Sequence, residues 1–173
     1  MIPTYEYFLG RMSESLRKHI GEGEPDGPNR SPQIDAYNRA EHVPMGSPYC
    51  LAALLFELDA LETEFGCQFN VPRTPATQVF WKESDPHLRV QVPQAGDFVI
   101  WRHETHPSNG HAGYVEKVRD DGLLETIEFN TSPGPGVVRE GDGCYARVRD
   151  PKGAGEMHVL GFVRVYDSVS GEG

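Results

Sequence analysis

Three places in this chain have residue types and spacing suited to carbonyl chemistry: Cys50, His111, and Glu128 with Asn130. Cys50 lies in Gly46-Ser47-Pro48-Tyr49-Cys50-Leu51-Ala52-Ala53-Leu54-Leu55. That run reads as a helix start, with Ser47 suited to the N-cap and Pro48 to the first helical position. A thiol in the first turn of a helix meets the positive end of the macrodipole, which favours the thiolate, the form that attacks carbonyl carbon. Such a nucleophile needs a base within hydrogen-bond reach and a third polar group that fixes the base's tautomer. His111, in Gly110-His111-Ala112-Gly113-Tyr114-Val115, opens a β-rich segment, where Gly110 and Gly113 leave space beside the imidazole. In Thr126-Ile127-Glu128-Phe129-Asn130, strand alternation puts Glu128 and Asn130 on one face and Ile127 and Phe129 on the other. Asp120-Asp121-Gly122 is a tight-turn signal between the two segments. His111 and Glu128 are therefore expected as cross-strand partners, with Glu128 accepting from Nδ1 and Nε2 facing the thiolate. The Cys50 N–H is the expected oxyanion donor.

The elements that must position these groups are readable from periodicity. Residues 4–20 predict an amphipathic helix, with Tyr5, Phe8, Leu9, Met12, Leu16 and Ile20 at helical spacing. A Gly/Pro loop follows at 21–28, then a short helix over 32–40 with Ile34 and Tyr37 inward. The Cys50 helix is expected over 47–65, ending before Gly66, and its leucines and Phe65 form a wide apolar stripe. Another short helix is expected over 74–82. After Pro93 the pattern becomes β-rich, with strands expected over 97–102, 112–118, 123–129, 144–148 and 159–166. Helices first and an antiparallel sheet of about five to six strands afterwards is an α+β layout in one domain. Its parts are a helical portion with its loop (1–46), the nucleophile helix and the next helix (47–92), the sheet (93–167) and a frayed tail (168–173).

Composition narrows the function classes. The chain has 173 residues, enough for one domain with its own core. Its 16 Lys and Arg against 26 Asp and Glu give a net charge of −10, with no basic stripe, which disfavours nucleic acid as a partner. No apolar run reaches the roughly 20 residues of a membrane span, so no membrane insertion is expected. The first residues lack a signal-peptide pattern, predicting cytoplasmic synthesis and action in the periplasm or wall only after release or delivery. Cys50, Cys67 and Cys144 are far apart with no CxxC pair, which fits a reducing compartment. Cys67 and Cys144 read as small buried hydrophobes.

Taken in order, Cys50, Gly110-His111-Ala112-Gly113-Tyr114-Val115-Glu116 and Glu128-Phe129-Asn130 resemble the CHAP family of cysteine, histidine-dependent amidohydrolases/peptidases, within the papain-like NlpC/P60 group. Flanking segments extend the likeness toward a subset of phage and prophage endolysins. These are Asn29-Arg30-Ser31-Pro32-Gln33-Ile34-Asp35-Ala36-Tyr37, Ala95-Gly96-Asp97-Phe98-Val99-Ile100-Trp101, Thr126 to Thr131, and Arg139-Glu140-Gly141-Asp142-Gly143. The resemblance implies a papain-like fold and peptidoglycan hydrolysis, either at the muramoyl–L-alanine amide or at a peptide bond of the stem or cross-bridge. It makes Cys50 the nucleophile, His111 the base and then the acid, Glu128 the orienting group and Asn130 a supporting polar position. Tyr49, Asn29, Arg30, Asp35, Trp101 and Phe129 are the candidate substrate contacts, although Asn29, Arg30 and Asp35 equally suit turn and capping roles and Trp101 suits the core. The chain departs from that subset at Tyr49, where Trp is usual and many CHAP lysins carry Gln, at Phe129, where a smaller residue is usual, and at Ser31 in place of Gly. The Asp-rich calcium loop of some CHAP lysins is missing upstream of Cys50, so neither a metal nor another cofactor is expected.

Rival readings remain open at this level. His103-Glu104-Thr105-His106 has a metal-ligand flavour, but Pro107 to Gly110 make it loop, and the HExxH spacing is not met. A papain-like binding module without chemistry, or a cysteine acyltransferase on another substrate, would share the fold. The role is that of an endolysin released by a holin, or of an injected antibacterial amidase with a cognate immunity protein. A monomer is expected. Replacing Glu128 by Gln is expected to keep the fold and slow turnover.

Overall fold

The computed structural model describes residues 2–134, 136–137 and 141–171. Thr4 caps the first helix, α1 (Tyr5–Arg17), by accepting the Tyr7 N–H at 3.3 Å, and Phe8, Met12 and Leu16 form its buried stripe. The helix stops at Arg17, short of the expected 20, in a turn where the His19 N–H bonds Leu16 O. α2 (Pro32–Ala40) has the predicted bounds. Ser31 accepts the Ile34 N–H at 3.0 Å, and Pro32, which lacks a donor, takes the first helical position.

α3 (Cys50–Phe65) corrects the sequence reading at its start. Ser47 is not its cap: the hydroxyl donates to Pro44 O at 2.6 Å and so belongs to a turn. The first helical carbonyl is that of Tyr49, which accepts the Ala53 N–H at 2.9 Å. Cys50 thus opens the helix itself, with no side chain capping its first turn. At the other end Gly66 adopts a left-handed conformation (φ 61°) that returns its N–H to Glu62 O, which stops the helix as predicted. α3 is buried almost all round: Leu51, Leu54, Leu55 and Leu58 have no exposed surface. Each such leucine contributes about 2 kcal/mol by leaving water.

The chain continues through β1 (Cys67–Phe69), α4 (Thr77–Glu83), β2 (Arg89–Val90), β3 (Phe98–His103), β4 (Gly110–Val118), β5 (Leu124–Thr131), β6 (Gly143–Arg149), β7 (Gly153–Ala154) and β8 (Met157–Val163). A 3-10 turn (Val165–Ser168) leads to β9 (Val169–Gly171). The large sheet has the order β2-β8-β3-β4-β5-β6, all antiparallel, with β7 folded onto β8. This is the expected α+β, papain-like arrangement. The tail is not frayed through residue 171, because Val169–Gly171 pairs with Cys67–Phe69 and fastens the C-terminal segment to the end of α3.

Alternation along the strands splits the core. Phe98, Ile100, Ala112, Tyr114, Ile127 and Phe129 face the main cluster with α1 and α3. Val99, Trp101, Val115 and Leu124 face a smaller cluster that includes Val137. β4 and β5 pair only as far as Tyr114 with Ile127, and the first residues of β4 have no partner on β5. Beyond that point the ladder partner of β5 is β6, and the register shifts between Glu128 and Thr131 around Asn130, whose φ is 52°. This gap in the β4–β5 ladder has His111 on one strand and Glu128 on the other.

Candidate active site

Four elements converge on that gap. Cys50 comes from the α3 N-terminus, His111 from the start of β4, Glu128 from the end of β5, and Arg149 from the end of β6. His111 and Glu128 have no exposed surface, and Cys50 and Arg149 are each 5% exposed. The thiol faces a cleft of about 250 Å³ lined by Val43, Ser47 and Pro48 on one side and Pro75, Ala76, Thr77, Ser108 and Gly110 on the other. Gly110 is required here, since a Cβ would lie 2.5 Å from both Thr77 Oγ1 and the Trp101 carbonyl. The space beside Gly113 is taken up by Glu128 and Trp101, whose atoms lie 2.8 and 3.3 Å from where its Cβ would be.

Glu128 is saturated. Thr126 Oγ1 donates to Oε1 at 2.6 Å, and Arg149 Nε to the same oxygen at 2.7 Å. Arg149 Nη2 donates to Oε2 at 2.7 Å, and His111 Nε2 to that oxygen at 3.0 Å. These four bonds match the roughly four lone-pair sites of a carboxylate. The ring orientation therefore reverses the expected one: Nε2 serves the carboxylate, and Nδ1 is the nitrogen left for sulfur. The carboxylate stands beside Nε2 because Glu128 approaches through the space that Gly113 vacates. Trp101 lies against the imidazole, ring centroids 5.3 Å apart, and holds its plane from behind.

Electrostatics follow from this geometry. Burial by itself would raise the Cys50 thiol, but the His111 imidazole and the N–H groups of Ala112 and Leu51 outweigh it and lower the thiol below its ordinary value. Burial would likewise lower His111, but the neighbouring Cys50 thiol and the bond to Glu128 outweigh it and raise the imidazole above its ordinary value. Burial would raise Glu128, yet Arg149 and His111 hold it well below the usual carboxylate range. A cysteine lowered beside a histidine raised is the condition for a thiolate–imidazolium pair at neutral pH, with Glu128 as its fixed counter-charge.

Residues 42–130 match the CHAP domain family, a span holding Cys50, His111 and Glu128. The chain belongs to the CHAP family. The family is one of cysteine- and histidine-dependent amidohydrolases and peptidases, so the CHAP domain here is an enzyme of that general kind. No curated protein matches the chain.

The remaining predicted contacts of this CHAP domain lie apart from the cleft. Asn130 does not share the Glu128 face by simple alternation: its left-handed backbone breaks the strand, and its Oδ1 and carbonyl both accept the Gly141 N–H. Arg30 and Asp35 form a two-bond ion pair (2.7 and 3.0 Å). Asn29 accepts its strained φ of 54° while its side chain donates to Gly46 O at 3.1 Å. Both contacts brace the 21–31 loop, which is the turn role. Tyr49 is buried, stacks on Tyr37 and donates to Glu24 Oε1 at 3.3 Å. Phe129 packs on Tyr37 and His19 in the main core. Trp101 is wholly buried behind His111 rather than on a groove wall. Of the segment from 139 to 143, Arg139 and Glu140 lie outside the described residues, and Gly141 abuts the Thr131 backbone. The His103 and His106 rings meet edge to face at 4.9 Å, and among the described residues no group of three or more His, Cys, Asp or Glu is arranged to hold a metal.

Sequence reasoning missed Arg149 and Thr126. Thr126 carried a readable signal, since it is two residues before Glu128 and so shares its strand face. Arg149 did not, because Val148-Arg149-Asp150-Pro151 reads as a solvated strand end.

Proposed function

We propose that this CHAP domain is a peptidoglycan hydrolase that cleaves an amide of the muropeptide through Cys50, His111 and Glu128. The observation that carries the reading is the buried His111–Glu128 bond, which turns Nε2 to the carboxylate and leaves Nδ1 without another partner among the described residues, together with Cys50 on the cleft. The Cys50 thiolate attacks the scissile carbonyl carbon, and the carbonyl oxygen takes up negative charge. The Cys50 N–H, among the first helical donors that have no partner within the helix, is the donor for that oxygen. Collapse of the tetrahedral adduct breaks the C–N bond as His111 Nδ1–H passes its proton to the leaving amine. Water then attacks the thioester with His111 as base, releasing the carboxylate product and restoring the thiol. Glu128 keeps Nε2–H occupied, so that Nδ1 serves the sulfur throughout. We assign the role to an endolysin-like enzyme acting on the wall after release, and an injected effector with an immunity partner would use the same chemistry.

The test is mass spectrometry of fragments released from purified peptidoglycan. New N-terminal L-alanine identifies an amidase, and cleaved stems or cross-bridges identify an endopeptidase. If the intact sacculus survives with no soluble fragment, peptidoglycan is not the substrate.

Two further outcomes follow from the geometry. The pH dependence of kcat/KM should be bell-shaped, with its acid limb below the ordinary thiol value and its alkaline limb above the ordinary imidazole value. The acid limb is protonation of the lowered Cys50 thiol, and the alkaline limb is loss of the proton from the raised His111. Both limbs belong to the coupled pair. Glu128 stays ionised below the acid limb, because Arg149 holds its carboxyl low. An acid limb at the ordinary thiol value would remove the activation argument. Gly113→Ala should cost about 10²-fold in kcat/KM, because its Cβ, 2.8 Å from Glu128 Cγ, pushes the carboxylate off the imidazole. A kinetic comparison of the two proteins checks it, and an unchanged rate would mean that the carboxylate position is not critical.

A further inference from the structure

Arg149 lies nineteen residues beyond the end of the family match, on a strand that supplies none of Cys50, His111 and Glu128. Its guanidinium is nonetheless the main support of the active-site carboxylate. Nε and Nη2 donate to the two oxygens of Glu128, each at 2.7 Å, in the two-pronged geometry that fixes a carboxylate in both position and plane. Nη2 also reaches Thr131 Oγ1 at 3.4 Å, and Nη1 donates to the Gly136 carbonyl. Besides Glu128, the guanidinium is thus also anchored on β5 and on the segment that follows it. The neighbouring Arg147 is spent on that same segment, donating to Pro133 O at 2.7 Å and to Gly134 O.

We propose that Arg149 is a positioning residue of the active site, which locks the Glu128 carboxylate in its ionised form and in the one orientation that leaves Oε2 free for His111 Nε2–H. A buried carboxylate facing one imidazolium would draw the proton across or swing away, since the other donor to it among the described residues, the Thr126 hydroxyl, carries no charge. The ionisable groups that face it are His111 from β4, Arg149 from β6 and, further off on β6, Arg147 and Cys144. Arg149 is the only one of these that is both permanently charged and in contact with it among the described residues. Two prongs on two oxygens also explain why a lysine would be a poor substitute: a single ammonium cannot set the plane of the carboxylate. This proposal deepens the catalytic reading above, and so its readout is chosen to be independent of substrate.

The experiment measures the pH dependence of iodoacetamide alkylation at Cys50 in the intact chain, read by peptide mass spectrometry with Cys67 and Cys144 as internal references. Wild type, Arg149→Met and Arg149→Lys are compared, and folding of each is checked by circular dichroism. If Arg149 sets the carboxylate, removing it weakens the hold of Glu128 on the imidazolium and hence that of the imidazolium on the thiolate. The midpoint for Cys50 then moves up by about one pH unit in Arg149→Met, with a smaller upward shift in Arg149→Lys. Hydrolysis should fall by about tenfold to a hundredfold in Arg149→Met. A merely structural arginine changes the melting temperature and leaves the midpoint where it was, so an unchanged or lowered midpoint in folded Arg149→Met overturns the proposal. Should Arg149→Met not fold, Arg149→Lys decides alone: a raised midpoint supports the proposal and the wild-type midpoint overturns it. The thiol profile needs no substrate, so a failure of wild type to release wall fragments would sink the peptidoglycan reading and leave this result standing.

Discussion

Replacing Cys50 by Ala is expected to lower the release of wall fragments by about 10⁴-fold or more while leaving the fold intact. The loss is large because every covalent step runs through the sulfur. What survives is an oxyanion donor and a binding cleft, which stabilise the adduct of an attacking water only weakly. The fold survives because the thiol is a small side chain at the first position of a helix whose stability rests elsewhere, on Leu51, Leu54, Leu55, Leu58 and Leu61. The melting temperature should correspond to a stability change within about 1 kcal/mol. Cys50→Ser should be nearly as inactive, since a serine hydroxyl is not ionised by the same imidazole. Fragment release at the wild-type rate by folded Cys50→Ala would move the chemistry to another residue. Activity lost together with the fold would make the variant uninformative about mechanism, and so the melt is measured on the same preparation.

Glu128→Gln is expected to have two large effects. Turnover should fall by about 10²- to 10⁴-fold, because the imidazolium loses its charged partner at Nε2. Stability should also fall, by about 3–5 kcal/mol, which modifies the simpler expectation that the amide would keep the fold intact. Four donors converge on the Glu128 oxygens: Thr126 Oγ1, Arg149 Nε, Arg149 Nη2 and His111 Nε2. A glutamine offers one acceptor oxygen, and its NH2 faces donors on the other side. Arg149, 5% exposed, is left buried with no anion. For a chain of this length the loss corresponds to a melting temperature lower by about 6–20 °C. The sign with pH is fixed by the lowered carboxyl. Its stabilising contribution is complete above the ordinary carboxylate value and is lost as pH falls through the depressed one. The gap in stability between wild type and Glu128→Gln should therefore be complete in mildly acidic solution, close in strong acid, and narrow on the alkaline side as the raised His111 loses its proton. A variant as stable as wild type would mean that Arg149 has another counter-charge, and undiminished turnover would remove Glu128 from the mechanism.

Local signals gave a good account of the elements and of the chemistry they carry. Ser31 and Pro32 bound α2 correctly because a cap and a donor-free residue act within one turn. Gly66 ends α3 because its left-handed conformation is a local property. The short connection at 119–123 makes β4 and β5 neighbours, and so His111 and Glu128 were readable as partners. Where two local explanations competed, the structure chose between them: Ser47 had a nearer acceptor in Pro44 and left Cys50 to open the helix uncapped. The flanking residues with a motif-like look, Asn29, Arg30, Asp35 and Tyr49, turned out to brace a loop and fill a core, because polar side chains in a turn serve their own backbone and neighbours first.

The sequence by itself determined that a thiol would stand at a helix start, that a histidine and a carboxylate would sit on adjacent strands, and that helices would cover an antiparallel sheet. These follow from short-range capping, periodicity and turn geometry. Only the tertiary structure decided which imidazole nitrogen meets the carboxylate, that β4 and β5 stop pairing beyond Tyr114 and Ile127, and that Arg149 completes the site. Those depend on register and on the reach of long side chains across strands distant in sequence. No local pattern around residue 149 encodes a partner at residue 128.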